Sequence, residues 1–230
     1  GRMTHLESGD FAGNPSGLRW TDDPKSPLKL KPEDIEKKSG LSLYEYAKKI
    51  PNLKAPAIWF PHTILGISTS DILIDNNGGK FGPFDGQMFV GDQGHSKIMR
   101  VAMEKINGVY QGASFPFVEG FSSGILRMIW GSDASMFVGM TSRGWSSTGK
   151  EQYGLQRLVW TGKTPFEIKT IKARDDGFLI EFTKPVNKQL ASQTSSYKLT
   201  TFTYHYHNTY GSSIVDQQAG MVHAAKVSDD

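Results

Sequence analysis

Three polar residues follow the apolar segment Met88-Phe89-Val90-Gly91, where a β-strand of this composition is expected to end: Asp92, Gln93 and His95. The carboxylate of Asp92 is a hard oxygen ligand that suits calcium, or it orients a base. In the alternative, it closes a tight turn by accepting backbone hydrogen bonds. The imidazole of His95 titrates near neutral pH and suits a general base or an axial ligand. Its flanking glycine and serine are equally typical of an exposed hairpin tip, so both interpretations stay open.

Arg143 and Trp145 form a second polar pair, on a loop that follows a matching apolar segment, Met136-Phe137-Val138-Gly139. A guanidinium holds a carboxylate or quinone oxygen in bidentate fashion, and an indole stacks on a planar ring or a sugar face. The alternative is an arginine stacked on a tryptophan to hold a long loop in place. With Asp92, Gln93 and His95, this pair makes up the main set of ligand-binding candidates.

The remaining candidates are histidines. His62 follows Trp59-Phe60-Pro61 at a predicted strand end, where it either faces a ligand or forms a hydrogen bond across a turn. His205 and His207 are two positions apart and share a face if their segment is a strand. Two imidazoles bind a metal only with further ligands, and no third ligand is near in sequence, so a β-sandwich surface is the alternative. Metal candidates are therefore limited to Asp92, His205 and His207, and no catalytic residue can be assigned.

Composition excludes several classes of function. The sequence contains no cysteine, which excludes disulfides, thiolate zinc sites, iron–sulfur clusters and covalent haem attachment within these residues. The net charge is +3, and scattered Lys and Arg form no basic stripe of the kind that nucleic-acid binding needs. No apolar stretch reaches the roughly 18 residues of a membrane span. Walker, Rossmann, nucleophile-elbow and His-Glu-x-x-His motifs are absent from the sequence.

An internal repeat indicates the elements that position these residues. Met88-Phe89-Val90-Gly91 recurs as Met136-Phe137-Val138-Gly139, a shift of 48 positions. Gly66-Ile67-Ser68-Thr69 precedes the first copy and Gly120-Phe121-Ser122-Ser123 precedes the second. Ile98-Met99-Arg100-Val101 and Leu155-Gln156-Arg157-Leu158 follow them in the same order. The order is kept while the spacing drifts, as expected for one structural unit with loops of different length; four strands in about 40–50 residues is the size of a propeller blade.

Turn signals place the predicted elements. The 25 glycines and 11 prolines favour many tight turns and hence β architecture. Residues 32–50 carry helix signals: Pro32-Glu33-Asp34 starts a short helix, and Ser42-Leu43-Tyr44-Glu45 is a capping box for a second helix that Pro51 ends. Segments 176–182 and 196–206 are strand candidates typical of a β-sandwich.

The sequence therefore predicts an all-β protein. We expect a partial β-propeller of about two to three four-stranded blades, followed by the start of a β-sandwich, with a short helical insertion near residues 32–50. The expected domains are residues 1–162, with the blades and the insertion, and residues 163–230, with a truncated C-terminal β-sandwich. Both chain ends look like cuts through a longer protein, so the absence of a signal peptide says nothing about location.

Several motifs resemble one known family. They are residues 81–93 (Phe-Gly-Pro-Phe-Asp-Gly-Gln-Met-Phe-Val-Gly-Asp-Gln), Tyr110-Gln111-Gly112-Ala113, Arg143-Gly144-Trp145, Tyr153-Gly154-Leu155-Gln156-Arg157 and Pro165-Phe166-Glu167-Ile168. The chain resembles, over most of residues 55–215, the large secreted bacterial proteins that join a glucose/sorbosone dehydrogenase-like six-bladed propeller to a haem-binding cytochrome c module. Residues 1–54 carry the resemblance more weakly.

The resemblance implies two functions. The better-known relatives are soluble quinoproteins that oxidise sugars with pyrroloquinoline quinone (PQQ) and calcium, so the first is a periplasmic or extracellular oxidoreductase that passes electrons to an adjoining cytochrome c domain. The catalytic histidine of such enzymes belongs to a blade that this chain lacks, so PQQ and calcium would act in the full-length parent, and haem only through a separate domain. The second is a non-catalytic propeller that binds a sugar or a protein, with the remaining blades of the parent as its partners.

Overall fold

The computed structural model describes residues 1–34, 40–50, 52–207 and 209–228. Strands account for 38% of the chain and helices for 9%, so the protein is all-β with few helices, as the sequence predicts. Among the described residues the strands form five antiparallel sheets, none of which closes on itself. The chain divides into two compact units, one of Gly1–Met3 and Pro56–Lys184, the other of Thr4–Ala55 and Pro185–Asp230.

The first unit is built from antiparallel strands joined by turns and loops. In chain order the strands are β1 (Arg2–Met3), β2 (Ile58–Trp59), β3 (Thr69–Ile74), β4 (Met88–Asp92), β5 (Lys97–Ile106), β6 (Val109–Glu119), β7 (Ile125–Trp130), β8 (Met136–Thr141), β9 (Tyr153–Leu158), β10 (Ile168–Arg174) and β11 (Gly177–Phe182). β3 to β6 form a four-stranded meander, and β7 to β9 form a three-stranded meander. β1 pairs with β2, and β10 pairs with β11 as a hairpin, so the predicted boundary at residue 162 falls within this unit.

An apolar core lies between the two meanders. Alternate residues of a strand face the same side of a sheet, so Phe89 and Ile98 of the four-stranded sheet share one buried cluster with Met136 and Val138 of the three-stranded sheet. The opposite face of the four-stranded sheet packs in a second cluster: Ile58, Phe60, Leu65, Val90, Met99 and Val101. The four-stranded sheet is therefore covered on both faces, and each buried side chain of this size contributes about 1.5–3 kcal/mol.

Two hydrogen bonds link β7 of the second meander to β3 of the first. The backbone N–H of Met128 in β7 donates to Asp71 Oδ2 of β3 at 2.7 Å. The indole Nε1 of Trp130 donates to the carbonyl of Ile74 at 2.8 Å. Because both bonds link β7 to β3, the first strand of the second sheet lies beside the first strand of the first sheet.

The repeated segments occupy equivalent positions in the two sheets. Met88–Gly91 lies in β4 and Met136–Gly139 in β8, and each of these is the second strand of its meander. The following matched segments lie in β5 and β9, each the third strand. Even the register agrees, because Phe89 is paired with Arg100 and Phe137 with Arg157. The sequence repeat therefore corresponds to a structural repeat.

The two sheets differ in strand number and in the lengths of two connections. The first has the predicted four strands, whereas the second has three among the described residues. In the first sheet, the connection from β3 to β4 is closed by a hydrogen bond from the N–H of Asp75 to the carbonyl of Gln87. In the second sheet, the N–H of Gly131 donates to the carbonyl of Ser135 in the same way. The spacing drift thus comes from a longer β3–β4 loop in the first sheet and a longer β8–β9 loop, residues 142–152, in the second.

A buried arginine holds the β10–β11 hairpin. Arg100 of β5 is 1% exposed, and its guanidinium lies 3.9 Å from the ring centroid of Phe84 and 4.3 Å from that of Phe115. Its Nη2 donates to the carbonyl of Ile168 at 2.6 Å, and its Nη1 donates to that of Lys169 at 2.8 Å. Burial lowers the pKa of Arg100 to about 10, although a nearby glutamate opposes the shift.

The second unit contains short helices and one hairpin sheet. Its elements are 3₁₀ helices at Pro15–Trp20, Pro32–Asp34 and Thr194–Ser196, helices α1 (Leu43–Ala47) and α2 (Lys188–Ala191), and strands β12 (Leu199–Thr203) and β13 (Val215–Gly220), which pair antiparallel. The predicted capping box is confirmed, since the N–H of Ser42 donates to Glu45 and the N–H of Glu45 donates to the Ser42 hydroxyl. The rest of the predicted first helix, residues 35–39, and Pro51 lie outside the described residues. Within those described, no helix is long and apolar enough to cross a membrane.

Candidate functional site

The predicted site residues of the first unit lie at one end of its two meanders. β4 ends at Asp92, from which a turn leads into β5; β8 ends at Thr141, from which loop 142–152 leads into β9. Gln93 connects the two places, because its side-chain Nε2 donates to the carbonyl of Thr141 at 3.1 Å. Folding therefore brings together candidates that are about fifty positions apart in sequence. We define this end of the sheets as the strand-end site.

Asp92 is the buried centre of the strand-end site and is fully shielded from solvent. Its Oδ2 accepts hydrogen bonds from the N–H groups of Ile67 and Ser68, both at 2.9 Å. Its Oδ1 accepts from the N–H of His95 at 2.7 Å. Backbone donors satisfy a buried carboxylate well. These hydrogen bonds are those expected if Asp92 closes a turn, which is the alternative to a ligand role in the sequence analysis. Asp92 ties the segment before β3 to the β4–β5 turn.

The close approach of the Ile67 side chain explains the glycine beside His95. A Cβ atom added at Gly94 would lie 2.7 Å from Cβ of Ile67, closer than real carbon atoms approach. Any larger residue would push apart the two segments that Asp92 joins. The turn is therefore tightly packed, unlike a loosely exposed hairpin tip.

Two histidines lie next to Asp92. Burial lowers the pKa of His62, the positive charges of the Gly1 amine and of His95 lower it further, and Asp92 opposes them. The Nδ1 atom of His95 is buried without a hydrogen-bond partner among the residues the structure describes. His62 is thus held in its neutral form near pH 7, in which an imidazole can accept a proton.

Loop 142–152 is anchored on the β4–β5 turn. The N–H of Thr148 donates to the carbonyl of Gly94 at 2.9 Å, and the N–H of Gly149 donates to the hydroxyl of Ser96 at 2.9 Å. The loop closes on itself through a bond from the N–H of Ser142 to the carbonyl of Gln152. These bonds hold the backbone of a long loop against the first sheet.

Arg143 and Trp145 lie in the first part of this loop, just after β8. The N–H of Arg143 donates to the hydroxyl of Thr141 at 3.0 Å, and Gly144 between the pair has a φ of 78°, which turns the chain sharply. The indole of Trp145 is 42% exposed, and Arg143 is exposed. The guanidinium of Arg143 makes no ion pair with any described residue. The strand-end site therefore presents an exposed indole and an exposed guanidinium that has no ion-pair partner among the described residues.

The other two histidine candidates lie in the second unit. His205 forms an isolated antiparallel bridge with Ser42, and His207 follows outside any strand. The ring nitrogens of His207 are both engaged, Nδ1 with the hydroxyl of Thr209 at 2.6 Å and Nε2 with that of Ser212 at 3.1 Å. Among the described residues, no three His, Cys, Asp or Glu side chains converge in a way that would hold a metal.

Sequence reasoning missed one buried acid. Asp75, at the end of β3, is 0% exposed, yet it was not among the predicted site residues. Its neighbours in sequence, Asn76-Asn77-Gly78-Gly79, are an ordinary turn signal. The only sequence feature that sets this loop apart is its length, because the β3–β4 connection of the first repeat is longer than the β7–β8 connection of the second.

Comparison of the chain with protein-family models, with curated proteins and with solved structures found no match.

Proposed function

We propose that this protein is part of a β-propeller-type binding module whose strand-end site takes a carbohydrate that carries a carboxylate. The main support for this proposal is the anchored loop 142–152. It presents the exposed indole of Trp145 and the guanidinium of Arg143, which forms no ion pair with the residues that the structure describes. An indole stacks on the apolar face of a sugar ring, and a guanidinium forms paired hydrogen bonds to a carboxylate. The residues that bind are thus held ready by a rigid turn.

The packing of the two meanders supports the propeller interpretation. The sheet face that carries Phe89 and Gly91 packs on β7, where a Cβ atom added at Gly91 would lie 2.5 Å from Cγ2 of Ile125. The equivalent face of the second sheet carries Phe137 and Gly139. Its other large side chains are exposed: Ile129, Tyr153 and Leu155.

A repeat that packs one face on the next repeat leaves the same face open at the end of the stack. The occupant we propose for this open face is a further antiparallel sheet of the same kind, with an aliphatic side chain seated at Gly139. A second copy of the chain fits less well, because the back face of the first sheet is already covered by the cluster around Phe60.

A second candidate function is a sugar dehydrogenase of the quinoprotein type. It is favoured by the neutral imidazole of His62 close to His95 and the buried Asp92, an arrangement that suits a proton acceptor. In this case PQQ, calcium, the remaining blades and a cytochrome c domain would belong to a longer, secreted parent protein. The chain's own residues would orient the sugar, and His62 would be placed to accept a proton.

The binding proposal is tested with an oligogalacturonate and its methyl ester, which have the same rings but differ in charge. We expect tryptophan fluorescence to report tighter binding of the acid. Arg143→Ala should weaken acid binding about tenfold and leave ester binding almost unchanged, since one charged pair is worth about 1.4 kcal/mol or more. Trp145→Ala should weaken binding of both ligands, and calorimetry would then replace fluorescence as the measurement.

Matched controls are Arg174→Ala and Trp20→Ala, which remove an exposed arginine and an exposed tryptophan elsewhere. Neither should change either affinity. Equal losses in the control and site variants, or no binding of acid or ester by the unmodified chain, would contradict the proposal. The dehydrogenase candidate is tested separately by adding PQQ and calcium and screening aldoses with a dye acceptor; no quinone binding and no dye reduction would remove it.

A further inference from the structure

The buried Asp75 has one oxygen that is satisfied and one that is not. Its Oδ1 accepts from the backbone N–H of Asn77 at 3.2 Å and from the side-chain Nδ2 of the same residue at 2.9 Å. Its Oδ2 is buried and has no hydrogen-bond partner, and the side chain makes no ion pair with the described residues. A carboxylate oxygen withdrawn from water is strongly unfavourable unless a donor or a cation faces it.

The loop around this oxygen is rich in oxygen atoms and glycine. Asp85 Oδ1 accepts from the N–H of Gly78 at 2.7 Å. Gly78 directly follows Asn77, to which Asp75 is hydrogen-bonded. The N–H of Gly86 donates to the carbonyl of Asp75 at 2.7 Å. Two carboxylates and the amide of Asn77 therefore border the same short stretch of backbone. We call residues 75–86 the acidic loop.

Within the described part of the chain, no positive side chain forms an ion pair with Asp75 or Asp85. Lys80 is exposed and takes part in none of the ion pairs found among the described residues. In the second sheet, by contrast, Asp133 stands 48 positions after Asp85 and is paired with Arg157. Hydrogen bonds from Ser135 lower the pKa of Asp133 to about 2, with Arg157 adding to the shift. The equivalent acids of the two sheets therefore differ in their pairing. Asp133 is paired with Arg157, whereas Asp85 is paired with no cationic side chain among the described residues.

We propose that the acidic loop binds a calcium ion, with Asp75 Oδ2 as its buried ligand and Asp85, Asn77 and loop carbonyl oxygens completing the site. Calcium takes about six to eight oxygen ligands in irregular geometry, which a glycine-rich loop supplies. The lack of sulfur and imidazole donors in residues 75–86 disfavours zinc and copper. This inference does not depend on the proposed carbohydrate site, because no residue is shared.

The test uses thermal unfolding and titration calorimetry of the whole chain after treatment with a chelator. We expect about 5 mM calcium to raise the Tm by about 3–6 °C, and the same concentration of magnesium to raise it far less. Asp75→Asn should abolish the calcium-dependent shift. Asp85→Asn changes an exposed residue, so it should fold normally and weaken calcium binding about tenfold or more.

The matched control is Asp133→Asn, which removes the equivalent acid of the second sheet and should leave the calcium response unchanged. If the Asp75→Asn variant fails to fold, calcium binding by Asp85→Asn decides the test. Absence of a binding heat for calcium and of a Tm shift in the unmodified chain would overturn the proposal. A calcium response of equal size in Asp85→Asn and the unmodified chain would overturn it too.

Discussion

The four-stranded sheet and the three-stranded sheet are built from matching segments but are surrounded differently. Phe89 and Arg100 are paired across β4 and β5, as Phe137 and Arg157 are across β8 and β9. In the first sheet the arginine is 1% exposed, whereas in the second its side chain is 48% exposed. The same local sequence therefore gives the same strands, while the neighbours decide whether a residue becomes core or surface.

The two arginines also show how a polar residue becomes part of a core. Arg100 donates to Gln87 at 2.5 Å in addition to the two hairpin carbonyls, so most of its donors are satisfied without water. Arg157 contacts Asp133 and donates to the Ser135 hydroxyl at 2.8 Å at the surface. A hairpin covers the first arginine, and no element among the described residues covers the second.

The largest expected effect comes from removing these arginines in turn. Arg100→Ala should lower the free energy of unfolding by about 3 kcal/mol, because it leaves buried acceptors unpaired and empties the space between two rings. Arg157→Ala should cost less than about 1 kcal/mol, since exposed ion pairs contribute little. Denaturant unfolding monitored by circular dichroism measures both. Equal losses of unfolding free energy in the two variants would contradict the difference in burial between Arg100 and Arg157.

The next effect comes from the glycines of the repeated segments. Gly91→Ala should destabilise the protein by about 2 kcal/mol, because the new Cβ would lie 2.5 Å from Cγ2 of Ile125. Gly139→Ala should change stability by less than about 0.5 kcal/mol, since the nearest atom is a carbonyl oxygen at 3.7 Å. The same unfolding measurement applies. A large cost at Gly139 would contradict an open face on the second sheet.

The smallest expected effect is on the pH dependence of stability, through Asp133 of the second sheet. The pKa of Asp133 is lowered from 3.8 to about 2 in the folded protein. Its stabilising contribution is therefore fully present above pH 4 and is lost as the pH falls from about 4 to about 2. Asp133→Asn should flatten the stability profile in this interval. An unchanged stability profile in Asp133→Asn would contradict the assignment.

Local features of the fold were predictable from sequence. The capping box of Ser42 and Glu45 was predicted because its partners are three residues apart. The strands at Met88 and Met136 were predicted because apolar segments bounded by glycine and polar residues need no distant partner to be recognised. Candidates such as Asp92 and His95 were predicted from their place after a strand, although the sequence could not distinguish a turn acceptor from a ligand.

Burial and pairing were decided only by the tertiary structure. Arg100 meets carbonyl oxygens that lie 68 and 69 positions further along the chain. Thr148 reaches Gly94 across 54 positions, and this contact is what gives Arg143 and Trp145 a fixed place. The unpaired oxygen of Asp75 has no sequence signature, because pairing depends on which groups folding brings near it. The sequence by itself determined the strands and their repeat, and the packing of those strands determined which side chains are available to bind.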